Sequence, residues 1–152
     1  MWLIDPNVGF SLAGQLMLIM WLLLVISLWV HRLHALVDGL GMFWLPVLIG
    51  LWYLLLIMSN MPFEEGGYGS LVQVRALFAD DELLLAGWLH FLVFDFFVGT
   101  WVARQARGES VWRVLVAPCL VLCFLAGPVG LLAWLLLRSG SRMIRRPSVT
   151  TP

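Results

Sequence analysis

The chain contains no lysine; all nine of its basic residues are arginine. Charge of either sign is scarce, with 12% of the 152 residues charged and a formal net charge of zero. Soluble domains carry about 25% charged residues, so a water-soluble globular class is excluded. No basic patch with interleaved aromatics is present, which argues against a nucleic-acid partner. A glycine-rich phosphate loop is also missing, and with it the basis for nucleotide-type phosphoryl transfer. Histidine occurs only at His31, His34 and His90, too few for the ligand set of a di-iron desaturase or hydroxylase. Cys119 and Cys123 lie four apart in an apolar run. They read as small buried hydrophobes, and with no second ligand pair they make no zinc site. Neither a metal nor a cofactor is expected.

What the chain does have is apolar bulk: 62% hydrophobic residues, 13% of the chain aromatic, and a mean hydropathy of +0.96. The expected class is an all-α integral membrane protein, a four-transmembrane-helix bundle. One domain over residues 1–138 precedes a basic, flexible tail at 139–152. About 20 apolar residues cross a bilayer, and runs at residues 10–30, 40–58, 83–103 and 114–137 meet that length. The first run lacks the basic flank and small-residue cleavage site of a signal peptide, so it reads as a retained helix. Asp5-Pro6, with Trp2 at the interface, predicts a capped helix start. Asp80 predicts another, with Asp81 and Glu82 at the positive end of the helix dipole. Between spans two and three, Glu64-Glu65-Gly66-Gly67 is turn-like. Ser70 to Ala79 then predicts a short amphipathic helix that lies on the membrane surface or folds back as a lid.

His31 and His34 share a helix face near Asp38, but a metal needs more ligands. They read as interfacial residues at a helix end. Four crossings divide the arginines five against four, which fixes no orientation. That balance permits an antiparallel homodimer.

The third run, Gly87 to Trp101, holds His90 and Asp95. A carboxylate at the bilayer centre costs roughly 2.5–3.5 kcal/mol on insertion scales. On a helix, Asp95 stands about 140° round and about 7.5 Å along from His90. The sector with Gly87, Phe91, Phe94, Val98 and Trp101, and Trp88 beside Asp95, is expected to face the bundle interior. The sector with Leu85, Leu89, Leu92, Val93 and Phe96 is expected to face lipid. In the fourth run, Pro128 lacks an amide and clashes with the carbonyl four residues back, so a mid-membrane kink with freed carbonyls is expected. Two readings stand level: a polar pocket between that kink and Asp95, or a structural kink against an Asp95–His90 or Asp95–Tyr53 pair. If there is chemistry, Asp95, His90 and Tyr53 allow acid–base work. Gly87, Trp88, Phe91, Phe94, Trp101, Gly127 and Pro128 would then line the substrate.

The stretch from Trp88-Leu-His90 through Asp95-Phe-Phe-Val-Gly99-Thr-Trp101, then Pro118-Cys-Leu, then Gly127-Pro128-Val-Gly130, ending in Arg138, resembles the abscisic-acid-deficient-four-like family. These are small four-span membrane proteins of plants, algae and bacteria, and the plant members are linked to neoxanthin synthesis from violaxanthin. The chain departs from the family pattern at Gln105, Cys123 and Trp134, where an acidic residue, a threonine and a tyrosine would stand. Arginine without lysine suggests a GC-rich bacterial genome, and so a bacterial inner membrane. The resemblance implies a protein that binds or isomerises a carotenoid-like or isoprenoid lipid. Opening an epoxide to an allene with a tertiary alcohol needs an acid, a base and no redox cofactor, with Asp95 and His90 as the pair and Tyr53 as an alternative acid. The competing expectations are a non-enzymatic pigment- or partner-binding protein and a small proton-coupled transporter.

Overall fold

The computed structural model describes residues 5–63, 66–109 and 111–144, with side chains to residue 141. Trp2, the Glu64-Glu65 part of the expected turn, and residues 145–152 of the expected tail lie outside the described residues. Six helices and no strand occur among the described residues: α1 (Pro6–Ser27), α2 (His31–Ser59), α3 (Leu71–Leu77), α4 (Asp81–Glu109), α5 (Arg113–Leu125) and α6 (Gly127–Ile144). Three of them, α1, α2 and α4, are long and apolar enough to cross a membrane.

Local chemistry explains the starts. The Asp5 carboxylate accepts from the amides of Asn7 (2.8 Å) and Val8 (3.4 Å), with Pro6 in the first turn of α1. Asp80 does the same for Glu82 (2.9 Å) and Leu83 (3.0 Å) of α4, and Ser70 for Gln73 of α3 (3.3 Å). Helix α2 begins nine residues before the expected span, so His31, His34 and Asp38 stand in its first turns. It opens with a tight 3₁₀ turn and widens into a π-helical turn at Leu40–Trp44. The wide turn directly precedes Pro46, which has no N–H to return to the carbonyl four residues back. There Gly41 packs against the Thr100 side chain of α4.

The expected fourth span is not one kinked helix. It is broken at Ala126 (φ −159°, ψ 84°) into α5 and α6, and these fold back on each other as a hairpin. Gly130 of α6 lies against the backbone of Cys123 in α5. Arg113, at the start of α5, reaches His31 at 3.3 Å, and Arg138 near the end of α6 pairs with Glu109 and with Gln105 (3.2 Å). Both feet of the hairpin therefore stand at the end of the bundle where α4 finishes. Its tip lies at the level of Asp95. Helix α5 has 13 residues, about 20 Å, too short to cross alone. Pro128, expected as a kink inside a helix, is instead a first-turn proline of a new one, where a missing N–H costs nothing. Helix α6 runs on to Ile144, so residues 139–144 are helical where tail was expected.

Helix α4 is central, and the face expected to meet lipid is its most deeply buried one, while Trp88, Phe91, Val98 and Trp101 of the expected inward face pack half-buried against the core. Leu85, Leu89, Leu92, Val93 and Phe96 are buried in the core, whereas His90 and Phe94 are exposed. Trp21 of α1 packs edge-on to Phe96 (5.5 Å) and over Gly99, where a Cβ would come within 2.7 Å of the Trp21 ring. Lipid tails are as apolar as leucine, so an apolar stripe does not say which way a membrane helix faces.

The hairpin also redistributes charge. Arg32, Arg104, Arg107, Arg113 and Arg138 stand at one end, whereas the other end holds Arg75 with Asp5, Asp80, Asp81 and Glu82. At the arginine-rich end Asp38 binds Arg107 (2.5 Å) and Arg104 (3.6 Å) together. Asp38→Asn is expected to lower stability by about 1–3 kcal/mol, because it leaves two guanidiniums without their shared counter-charge. Chemical unfolding of the purified protein in detergent measures this.

Candidate functional site

Asp95 lies midway along α4, about 21 Å from either end. The side chain is half-buried and its Oδ2 is buried with no hydrogen-bond partner. The backbone N–H of Gly127, the first residue of α6, faces the carboxylate. The first amides of a helix have no partner within it, and in a bilayer they must be satisfied by protein. Asp95 answers that need for α6 by offering an acceptor to its first amide. Gly127 permits the approach: a Cβ there would fall on Asp95, 2.6 Å from Cγ. Asp95, Gly127 and Pro128 therefore gather at the hairpin tip.

His90 belongs to a different group. Its ring stacks on Phe94 (centroids 4.6 Å) and leans on Tyr53 of α2 (5.9 Å). Tyr53 and His90 are shared by two adjoining grooves between α2 and α4. One, of about 470 Å³, is walled by Pro46, Gly50, Val93, Phe94 and Phe97. The other, of about 250 Å³, runs under Tyr68, Val74 and Phe78 and includes Gly87. Gly87 matters there because a Cβ would come within 2.7 Å of the Phe78 ring. Apart from the Tyr53 hydroxyl and the His90 imidazole, the larger groove is lined by apolar and aromatic side chains. The structure thus joins His90 to Tyr53, and Asp95 to the hairpin.

The remaining candidates are dispersed. Trp88 and Phe91 stack on each other (5.4 Å), and Trp88 meets Phe10 of α1 at 5.0 Å. Trp101 lies towards the arginine-rich end, beside Arg104 and Gln105. Sequence reasoning passed over Tyr68, Val74 and Phe78 as groove residues, and the aromatic of the Gly67-Tyr68-Gly69 turn was the available signal. Of the three departures from the family pattern, Gln105 accepts from Arg138, Cys123 is the backbone against which Gly130 packs, and Trp134 is fully buried. Among the described residues, no three His, Cys, Asp or Glu side chains gather as a metal site.

Chemically, a phenol and an imidazole side by side can hold and move a proton at an apolar surface, which is the equipment of general acid–base catalysis. Asp95 at the hairpin tip is placed to hold backbone. No curated protein and no solved structure matches the chain. A family model does match, over residues 8–134, and on that extent the chain belongs to the ABA DEFICIENT 4-like family.

Proposed function

We propose that the protein resides in a bacterial cytoplasmic membrane, where it holds a carotenoid-like or other isoprenoid lipid in the groove between α2 and α4 and isomerises it with Tyr53 and His90. The observation that carries this reading is the Tyr53–His90 pair, two polar groups set in an otherwise apolar, aromatic groove. The resemblance to proteins linked to neoxanthin synthesis supplies the substrate class. In such an isomerisation one group protonates the epoxide oxygen while the other removes a carbon-bound proton. The C–O bond breaks, the allene forms, and no electrons are exchanged with a cofactor. Tyr53 suits the acid and His90 the base.

The same proposal includes a topology. Helices α1, α2 and α4 cross the bilayer, and the α5–α6 hairpin enters and leaves from the arginine-rich side. Arginine-rich loops stay in the cytoplasm, so the amino-terminal end of α1 and α3 lie outside. Helix α3 rests at that outer interface with Leu71 and Val72 exposed, and covers one end of the groove. So strong a charge asymmetry favours a single orientation and removes the motive for an antiparallel dimer.

The test uses a carotenoid-producing host that expresses the wild-type chain or a variant, with pigments extracted from cells and from purified protein. A new pigment is expected with wild type, at about one hundredth of that rate in His90→Ala and Tyr53→Phe, the usual scale of a lost acid or base. Asp95→Asn is expected to keep the product, because asparagine also caps helices well. A bound pigment unchanged by every variant makes the protein a binder or scaffold. If no pigment is found and proton flux depends on Asp95, the protein is a transporter.

A further inference from the structure

The arginine-rich end holds a pocket of about 750 Å³, remote from the Tyr53–His90 groove. The turn after α1 contributes Trp29, the first turns of α2 His31 and His34, the end of α4 Arg107, the residue before α5 Trp112, and the start of α5 Arg113. Four of these six side chains can carry positive charge. Asp38 offers little compensation, because its single carboxylate already serves both Arg104 and Arg107. Arg107 spends Nη2 on Asp38, while its Nη1 is buried and has no hydrogen-bond partner. A guanidinium N–H kept from water without an acceptor is costly. Arg113 Nη2 lies 3.3 Å from His31 Nε2 and donates to it in the tautomer that leaves that nitrogen without a proton. An anion in the pocket would give Arg107 Nη1 the acceptor it lacks and would balance the two arginines.

The surroundings narrow the kind of anion. Trp29 and Trp112 are 48% and 77% exposed at the mouth of the pocket, and tryptophan marks the level of the membrane–water interface. Leu28, Val114 and Val116 complete an apolar wall. A phosphate suits the arginines, because its oxygens match guanidinium donors two at a time. The apolar wall and the tryptophans suit a chain attached to it.

We propose that this pocket binds the phosphate of a membrane amphiphile, with Arg107 and Arg113 as its principal contacts and His31 beside them. The phosphate can come from a phospholipid headgroup or from an isoprenoid diphosphate, which present the same chemistry to these side chains.

The experiment is native mass spectrometry of the full chain in detergent, titrated separately with phosphatidylglycerol, farnesyl diphosphate and diacylglycerol, the last as a phosphate-free control. At least one phosphate-bearing probe should bind about tenfold more tightly than diacylglycerol, a gap of about 1.4 kcal/mol. Preference for phosphatidylglycerol assigns a headgroup site, and preference for farnesyl diphosphate assigns a diphosphate-ester site. The double variant His31→Gln/Arg113→Gln changes two exposed side chains, so its unfolding midpoint should stay near wild type while that preference disappears. Arg107→Gln should weaken the same probe. His90→Ala should leave binding untouched; loss of binding there would put the amphiphile in the groove and overturn the proposal. Equal binding of all three probes, or a preference that survives the double variant, would overturn it as well.

Discussion

Gly108→Cys and Gly140→Cys variants are expected to react with a membrane-impermeant maleimide from the same side of the bilayer, and an Arg75→Cys variant from the opposite side. The native Cys119 and Cys123 are buried, so they form a quiet background. Neither glycine has anything within 4 Å of a would-be Cβ, so the new thiols disturb no packing. The effect is all-or-none. A chain that crosses a fourth time between residues 114 and 137 puts positions 108 and 140 on opposite faces. A hairpin returns them to one. Labelling in right-side-out and inverted vesicles decides the matter, and opposite labelling of the two positions would remove the hairpin topology together with the orientation drawn from it.

Two independent physical arguments support the same-side result. Arg138 binds Glu109 and Gln105, at the end of α4, and could not do so from across a bilayer. Charge points the same way. With the hairpin folded back, described arginines other than Arg75 share one end, which is the pattern that keeps a loop in the cytoplasm.

Gly130→Ala is expected to cost about 3 kcal/mol, at the upper end of the range for overpacking. A Cβ at Gly130 would stand 2.5 Å from Cys123 Cα. The obstacle is backbone, so no rotamer change relieves it, and α5 and α6 must separate. Gly14→Ala and Gly140→Ala, also inside helices but facing open space, should instead stabilise by roughly 0.5–1 kcal/mol, the ordinary gain from alanine in a helix. The opposite signs are the useful result, read from unfolding in detergent. Equal, favourable shifts at all three positions would mean that α5 and α6 do not touch at Gly130. Gly127→Ala should fall between these cases. Its Cβ meets the Asp95 carboxylate, the movable end of a side chain, although moving it uncovers the first amide of α6.

Much of this was legible in the sequence because it depends on near neighbours. Asp5-Pro6, Ser70 and Asp80 announce helix starts through bonds spanning two or three residues. The apolar runs announce a membrane protein, since about 20 such residues suffice to cross a bilayer. Asp95 stood out because a carboxylate at that depth needs a reason. Only tertiary structure decided the rest. Gly127-Pro128 is compatible with a kink inside one helix and with the start of another, because a proline lacks the same amide in both. The choice was made by the backbone of Cys123, which Gly130 allows to come close, and by the hold of Gln105 and Glu109 on Arg138. The facing of α4 could not be read from its apolar stripe, since lipid and protein interior solvate leucine equally well. With the Leu85–Phe96 face buried deepest, Asp95 went to the hairpin and His90 to Tyr53, 37 residues away along the chain and within ring contact across α2 and α4.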